Sequence, residues 1–165
     1  MPATIVDIKE KTGLSLATIS KYLNGGNVLP ENKTKIEAAI KELHYEVNEL
    51  ARGLVTNRTS TVGILVYSIE SPFSGMILHH VGLALRKEGY GMLIVDSCND
   101  EKIESKNLKY VLSKKVDGII VLPVAKSGDF LIPAKDAGVP VVLLDRALSD
   151  AQYDCVRINN RQSTC

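Results

Sequence analysis

Residues 15–24 place small polar side chains and one cation on one side of a short helical segment. Helical spacing puts Ala17, Ser20, Lys21 and Asn24 on the same face. Small hydroxyl and amide side chains permit close approach, and a lysine ammonium donates hydrogen bonds. This face suits contact with DNA, although the solvated face of a plain three-helix bundle would have the same composition.

A second group of candidate binding residues, polar except for Phe73, follows the apolar segments of the C-terminal part. Asp145 and Arg146 come directly after such a segment, so together they can accept hydrogen bonds from vicinal hydroxyls and donate to them. Ser68 and Phe73 follow another segment, and Asn99 follows a third. A surface ion pair is the alternative interpretation of Asp145 and Arg146, and core packing is the alternative for Phe73.

Motifs for metal-dependent or nucleotide-dependent chemistry are absent from the sequence. His79 and His80 are adjacent, so on a helix they point in different directions and cannot hold one metal ion. Cys98, Cys155 and Cys165 form no Cys-x-x-Cys pair, which argues against a zinc site and a disulfide framework. No glycine-rich phosphate loop follows a strand. We therefore expect no metal, no cofactor and no enzymatic activity.

The composition is that of an ordinary globular protein. The 165 residues are 45% hydrophobic and 24% charged, which fits one or two domains. The sequence contains no apolar run of about eighteen residues and no secretory signal pattern, so we expect a cytoplasmic protein without a membrane partner. Residues 1–60 carry eight Lys or Arg and seven Asp or Glu. Because these charges nearly cancel, DNA binding would depend on specific contacts and on two copies of the chain, not on a strongly positive surface.

Three short helices are predicted in the first 46 residues. Thr4 and Asp7 form an imperfect capping box for the first helix, and Gly13 ends it. Ser15 begins the second helix, and the third begins around Pro30 with apolar residues at the i, i+3, i+4, i+7 spacing. A short break between the first two helices is the geometry of a helix-turn-helix, whose second helix lies in the DNA major groove.

After residue 60 the pattern changes to alternating strands and helices. Segments rich in Val and Ile at 61–67, 91–96, 118–122 and 140–144 alternate with helical stretches at 73–88, 101–115 and 129–137. This alternation predicts an α/β unit with a parallel, doubly wound sheet. Ligands of such sheets bind beyond the carboxyl ends of the strands.

The sequence resembles the LacI/GalR family of bacterial repressors at 4–8, 13–24, 38–45 and 48–54. Two positions depart from the family pattern: Lys21 stands where arginine is more usual, and Val47 stands where proline is usual. The resemblance implies an all-α helix-turn-helix domain (1–46), a hinge helix with linker (47–60) and a core (61–165) like the N-terminal lobe of periplasmic sugar-binding proteins. A two-lobed core needs about as many residues again, so we expect this core to be truncated.

The resemblance also implies the residues that contact DNA. Leu16 and Ala17 would make apolar contacts to thymine methyl groups, and Lys21 would donate to guanine. The spacing of Leu16 to Ile19 and Leu23 also fits a core position. The resemblance also implies a DNA contact by Thr4. The implied phosphate contacts are Ser15, Thr18, Ser20, Asn24 and Tyr45.

Residues 48–55 correspond to the hinge helix of the family, which is ordered only when two copies pair over DNA. Leu54 corresponds to the wedge that enters the minor groove and kinks the duplex. Asn48, Ala51 and Arg52 are further implied DNA contacts. A flexible linker with incidental leucines is the alternative interpretation.

Together these features predict a homodimeric repressor of a pseudo-palindromic double-stranded DNA operator. A small-molecule effector, a sugar or related metabolite, would change its DNA affinity, and the first helix of the core would lie in the dimer interface. The predicted effector contacts are Ser68, Phe73, Asn99, Asp145 and Arg146. A sugar-binding module or an enzyme of the doubly wound class, with an accessory helical domain, is the competing hypothesis.

Overall fold

The structure, a computed structural model, describes residues 3–46, 53, 58–149 and 153–157. The chain divides into two compact units, Met1–Thr56 and Asn57–Cys165. The division falls inside the predicted linker at 47–60. The predicted hinge contacts Asn48, Ala51, Arg52 and Leu54 lie outside the described residues.

Within residues 3–46, the first unit contains three helices: α1 (Ile5–Thr12), α2 (Leu16–Leu23) and α3 (Pro30–Leu43). The capping box of α1 is complete, because Asp7 donates its N–H to the Thr4 hydroxyl and accepts from the Thr4 N–H at 2.6 Å. The helix ends at Gly13, whose φ of 69° lies in the left-handed region. The three predicted helices and the residues that begin them are therefore confirmed.

The core of the first unit is built from one apolar face of each helix. Ile8 of α1, Ile19 of α2, and Ile36 and Ala39 of α3 are buried in one cluster. Leu16 does not belong to this cluster and is 41% exposed. The alternative that Leu16 is a core residue is therefore wrong.

The part of the second unit that the structure describes contains five parallel strands in the order β2-β1-β3-β4-β5. The strands are β1 (Thr61–Val66), β2 (Gly91–Asp96), β3 (Gly118–Val121), β4 (Val141–Leu144) and β5 (Asp154–Val156). The helices are α4 (Pro72–Lys87), α5 (Glu101–Ser113) and α6 (Ile132–Asp136), with a 3-10 helix at Gly128–Leu131 before α6. The parallel sheet predicted from the sequence is confirmed.

Two predicted helices end or begin differently in the structure. The helix predicted to reach residue 115 ends at Ser113, and Lys115 adopts a φ of 54° that no α-helix contains. The helix predicted at 129–137 begins as the 3-10 helix and becomes α-helical only at Ile132. Pro133 has no N–H to donate to the carbonyl four residues back, which disfavours a continuous α-helix here.

The sheet separates two apolar cores, because successive residues of a strand point to opposite faces. Leu65 of β1 belongs to the core that α5 and α6 cover. Its neighbours Ile64 and Val66 belong to the core under α4. Gly63 permits the close approach of α5, since a Cβ at this position would lie 2.2 Å from Val111 Cγ1.

No helix within the described residues is long and apolar enough to span a membrane.

Candidate functional site

The face of α2 that points away from the core carries Leu16, Ala17 and Lys21. All three side chains are exposed. The helix begins at Ser15, whose Oγ accepts from the Thr18 N–H at 3.2 Å and lies 2.9 Å from Thr18 Oγ1. This cap satisfies one of the free N–H groups of the first turn, so Leu16 and Ala17 project from a well-defined helix start.

The turn after α2 packs against the base of Lys21. The Gly26 N–H donates to the Lys21 carbonyl at 2.8 Å. A Cβ on Gly26 would lie 2.7 Å from Lys21 Cγ and 2.9 Å from the Lys21 carbonyl oxygen. Any other residue at position 26 would therefore displace the stem of Lys21 or the turn.

Several of the predicted DNA contacts, Thr4 among them, already have hydrogen-bond partners within the first unit. Thr4 donates its N–H and its hydroxyl to the Asp7 carboxylate at 2.6 and 2.8 Å. These bonds, the one from the Thr4 N–H above all, hold the pKa of Asp7 below its ordinary value. Because phosphate oxygens only accept, Thr4 would have to give up a bond to Asp7 in order to donate to one.

The predicted phosphate contacts Ser20, Asn24 and Tyr45 differ in whether their side chains are already engaged within the first unit. Ser20 Oγ accepts from Asn24 Nδ2 at 3.3 Å, so its own O–H can still donate. Asn24 Nδ2 also donates to the Ser20 carbonyl at 2.9 Å, which closes the end of α2. The Tyr45 ring is half-buried against the core of the first unit.

In the second unit, the predicted effector contacts follow three strands at the carboxyl edge of the sheet. Asn99 follows β2, Ser68 follows β1, and Asp145 and Arg146 follow β4. In the strand order β2 lies next to β1, whereas β3 separates β1 from β4. The Asn99 N–H donates to the Tyr67 carbonyl at 2.7 Å, which places Asn99 beside Ser68. The winding of the chain reverses between β1 and β3, which leaves a crevice at their carboxyl ends.

Asp96 and Asn107, which no sequence pattern singles out, hold the loops at this edge. The Asp96 carboxylate accepts from the Ile69 N–H at 3.2 Å and the Cys98 N–H at 2.8 Å, which joins the loops after β1 and β2. Asn107 of α5 donates to the Asp96 carbonyl at 2.8 Å. The positions of Ser68 and Asn99 therefore depend on these side chains.

Glu104 of α5, also not anticipated, fixes the loop after β3. Its side chain is fully buried, and its two oxygens accept from the N–H groups of Val124 at 2.8 Å and Ala125 at 2.9 Å. Burial raises the pKa of the Glu104 carboxyl above its ordinary value of 4.5, and the two N–H groups and Arg146 oppose this shift without cancelling it. Glu104 thus connects α5 with the part of the edge where Arg146 lies.

Asp145 lies in a bend directly after β4, and Arg146 follows it. Asp145 has a φ of 74°, and its N–H donates to the Val156 carbonyl at 3.0 Å. Asp145 is half-buried and Arg146 is exposed. The ion pairs within the described residues do not include these two side chains, which speaks against the surface-ion-pair interpretation.

Phe73 and Ser68 have neighbours in the fold itself. Phe73 is half-buried in the first turn of α4 and packs against the core on that face of the sheet, so core packing accounts for part of its surface. Ser68 Oγ accepts from the Glu70 N–H at 3.2 Å. Ser71 begins α4, but its hydroxyl makes no capping bond and instead pairs with Tyr67 Oη at 2.9 Å. Ligand binding by Ser68 and Phe73 stays a prediction.

A cavity of about 430 Å³ lies at the opposite, amino edge of the sheet. Its walls come from residues just before the strands, including Arg58, Tyr90, Asp117 and Val139. The cavity is therefore separate from the predicted effector contacts. Among the described residues, no three His, Cys, Asp or Glu side chains are grouped to hold a metal ion.

Residues 59–164 match the family of periplasmic binding proteins and sugar binding domains of the LacI family. The chain belongs to this family. It is 35% identical over 159 residues to the HTH-type transcriptional regulator PtxS of Pseudomonas aeruginosa. The aligned residues cover 95% of this chain and 46% of that protein. It is 32% identical over 160 residues to the ribose operon repressor of Escherichia coli, which covers 96% and 48%.

Among solved structures, the LacI-family fold of this chain is similar to the lac repressor dimer bound to operator and the anti-inducer ONPF. The TM-score is 0.80 at 21% identity, over 98% of this chain and 50% of that chain, and this likeness concerns the fold. The resemblance to the LacI/GalR family and the periplasmic-binding-protein-like sheet are confirmed. The chain spans about half the length of the curated relatives it matches.

Proposed function

We propose that the protein is a LacI-type transcription repressor that binds operator DNA as a homodimer in the bacterial cytoplasm. A small-molecule effector, a sugar or related metabolite, modulates its affinity. The observation that carries this proposal is the exposed, capped start of α2, where Leu16 takes no part in the core of its own unit. Relatives that align with 95% or more of this chain are named transcriptional regulators, which supports the same function.

In this proposal α1, α2 and α3 are a helix-turn-helix domain, and α2 lies in the major groove. Leu16 and Ala17 contact thymine methyl groups, and Lys21 donates to guanine O6 or N7. Lys21 lacks the rigid fork of an arginine and discriminates less sharply. Ser15, Thr18, Ser20, Asn24 and Tyr45 set the register through phosphates, with Thr4 contributing once its bond to Asp7 is exchanged.

The hinge contacts of the proposal are Asn48, Ala51, Arg52 and Leu54, which follow α3 in the chain. Leu54 acts as the wedge in the minor groove at the operator centre, where unstacking one base step kinks the duplex. An effector that favours the arrangement of the cores in which the two hinges separate would release the operator.

The surface proposed for the dimer contact combines α4 with the edge strand β2. Met76 and Leu83 of α4 are 54% and 47% exposed, and Met92 and Ile94 of β2 are 38% and 36% exposed. Gly82 brings these elements together, since a Cβ there would lie 2.7 Å from Met92 Cε. Apolar side chains clustered at a sheet edge are typical of a surface that another chain covers.

The effector contacts proposed at the carboxyl edge are Ser68, Phe73, Asn99, Asp145 and Arg146. Asp145 and Arg146 form no ion pair with each other, so both are available to the vicinal hydroxyls of a sugar. The core leaves part of the Phe73 ring uncovered, and this part stacks on an apolar sugar face.

Selection from a random duplex DNA library with the intact protein tests this function. We expect enrichment of an inverted repeat, the signature of a symmetric dimer. Lys21→Ala should lose base preference within the repeat, whereas Lys35→Ala, which removes a charge from an exposed site on α3, should keep it. The proposal fails if no sequence is enriched. Sugar binding by a protein that selects no DNA would favour the sugar-binding module.

A further inference from the structure

The cavity at the amino edge of the sheet is large enough to hold a small organic molecule. Its volume of about 430 Å³ falls within the range of about 300–1,000 Å³ that is typical of ligand pockets. The residues that line it come from the loops that lead into β2, β3 and β4, together with Arg58 before β1. All of them belong to the second unit, so the cavity is a feature of that unit.

One part of the cavity wall is apolar. Leu112, near the end of α5, and Val139, before β4, are half-buried, and Val116 is buried. Tyr90 adds a half-buried ring whose hydroxyl can donate or accept a hydrogen bond. Apolar walls with a few polar groups are characteristic of sites for small organic molecules. A ligand with an apolar ring therefore suits this part of the cavity.

The charged residues of the wall are Arg58, Lys115 and Asp117, and the fold itself uses the carboxylate. Asp117 Oδ1 accepts from the Thr59 N–H, and Asp117 Oδ2 accepts from the Ser60 N–H, both at 2.9 Å. The ion pairs within the described residues do not include Lys115. Arg58 already has an interaction within the protein, but a guanidinium has five N–H donors and can bind an anion as well. The charge that the wall offers to a ligand is therefore positive.

The backbone of Lys115 is held in a conformation that is costly for a lysine. Its φ of 54° lies in the left-handed region, which glycine adopts without strain. The Lys115 N–H donates to the Leu112 carbonyl at 2.9 Å, and its carbonyl accepts from Thr59 Oγ1 at 3.0 Å. Strained residues that their surroundings over-determine are concentrated at ligand sites. The Lys115 side chain thus starts from a fixed point of the cavity wall.

We propose that this cavity is a second small-molecule site and that its ligand is a small organic anion with an apolar ring. Arg58 and Lys115 bind the carboxylate or phosphate group of the ligand through charge-assisted hydrogen bonds. Leu112, Val139 and the Tyr90 ring pack against its apolar part. The site lies apart from the predicted effector contacts at the carboxyl edge, and its occupancy does not require DNA.

The test measures the binding of three probes to the intact protein by isothermal titration calorimetry. Benzoate and phenyl phosphate share a ring and differ in their anionic group, and benzyl alcohol is a neutral probe of similar size. We expect at least one of the two anions to bind at least about tenfold more tightly than benzyl alcohol. The tighter of the two identifies the ligand as a carboxylate or a phosphate. If neither anion binds more tightly than benzyl alcohol, the inference is wrong.

Variants of the cavity wall locate the bound anion. Lys115→Gly removes the ammonium group and suits the left-handed backbone, so the variant should remain folded. Lys115→Gln removes the charge and keeps most of the side chain. Lys114→Gln is the matched control, because Lys114 is exposed and its Nζ lies over the Tyr110 ring, 5.0 Å from the ring centroid. Asp145→Asn changes the predicted effector site instead.

We expect both Lys115 variants to weaken binding of the anion at least about tenfold. Lys114→Gln and Asp145→Asn should leave the affinity for the anion within about twofold of wild type. Equal weakening by Lys114→Gln and Lys115→Gln would indicate a general effect of charge and would overturn the inference. Binding that depends on Asp145 and not on Lys115 would place the anion at the carboxyl edge, which also overturns it.

Discussion

Replacement of Glu104 by alanine should destabilise the second unit by about 3 kcal/mol. The two hydrogen bonds from Val124 and Ala125 go to a charged acceptor, and each such bond contributes about 1.5–3 kcal/mol. The variant also leaves the Ala125 N–H without its acceptor on a residue that is only 8% exposed. Removal of the buried carboxylate relieves its desolvation, which offsets part of the loss.

Glu104→Gln separates the charge from the shape of the side chain. The pKa of Glu104 is raised above 4.5 in the folded protein, so above pH 4.5 the folded state holds more protons than the unfolded state. The free energy of unfolding therefore falls as pH rises from about 4.5 through the folded-state pKa. Glutamine lacks this ionisation, so the stability of wild type relative to Glu104→Gln should decrease over the same window.

Hydrogen exchange of the Val124 and Ala125 amides measures these effects locally, which matters because a chain of two units need not unfold in one step. Leu16→Ala is the control, since it changes the other unit. A destabilisation below about 1 kcal/mol for Glu104→Ala would contradict the role assigned to the two bonds. The raised pKa of Glu104 would be contradicted if the free energy of unfolding of wild type, relative to that of Glu104→Gln, increased as pH rises from about 4.5 through the folded-state pKa.

Three further changes test separate parts of the fold by thermal unfolding. Gly63→Ala would place a Cβ 2.2 Å from Val111 Cγ1 and should cost about 1–3 kcal/mol; an unchanged melting temperature would refute the close approach. Thr4→Ala should lower the melting temperature of the first unit by about 5 °C. The lowered pKa of Asp7 supplies stability above pH 3.8 that disappears as pH falls through the folded-state pKa. Thr4→Ala should reduce this loss on acidification without abolishing it, because alanine lacks the hydroxyl bond to Asp7 but keeps the N–H bond, which lowers the pKa most. Ser97→Ala should be neutral or stabilising by about 1 kcal/mol, since Ser97 Oγ is buried without a partner among the described residues; a clear loss of stability would reveal one.

Local signals in the sequence were sufficient to predict most of the elements. The ends of α1 follow from Thr4 and Gly13, whose capping roles depend only on residues nearby in the chain. The start of α2 follows from Ser15 in the same way. The parallel sheet follows from the alternation of Val- and Ile-rich segments with helices, because parallel strands need a crossover between them.

The residues that hold the two edges of the sheet could not be predicted in this way. Glu104 reaches N–H groups 20 and 21 residues away, and Asp117 reaches N–H groups 57 and 58 residues away. Nothing near either residue in the chain indicates these partners, since strand order decides which loops meet. The same order decides that Asn99 lies next to Ser68 while Asp145 lies farther along the edge.

In the proposed function, the exposed face of α2 reads base pairs. The most direct test is the affinity of wild type, Lys21→Ala and Lys21→Arg for the selected operator and for each single base-pair substitution in it. We expect Lys21→Ala to lose about 1–3 kcal/mol of discrimination at one position in each half-site and to keep it elsewhere, and Lys21→Arg to sharpen it there. If Lys21→Ala weakens binding to every sequence equally, or changes nothing, Lys21 does not read a base pair and the proposed role of α2 is contradicted.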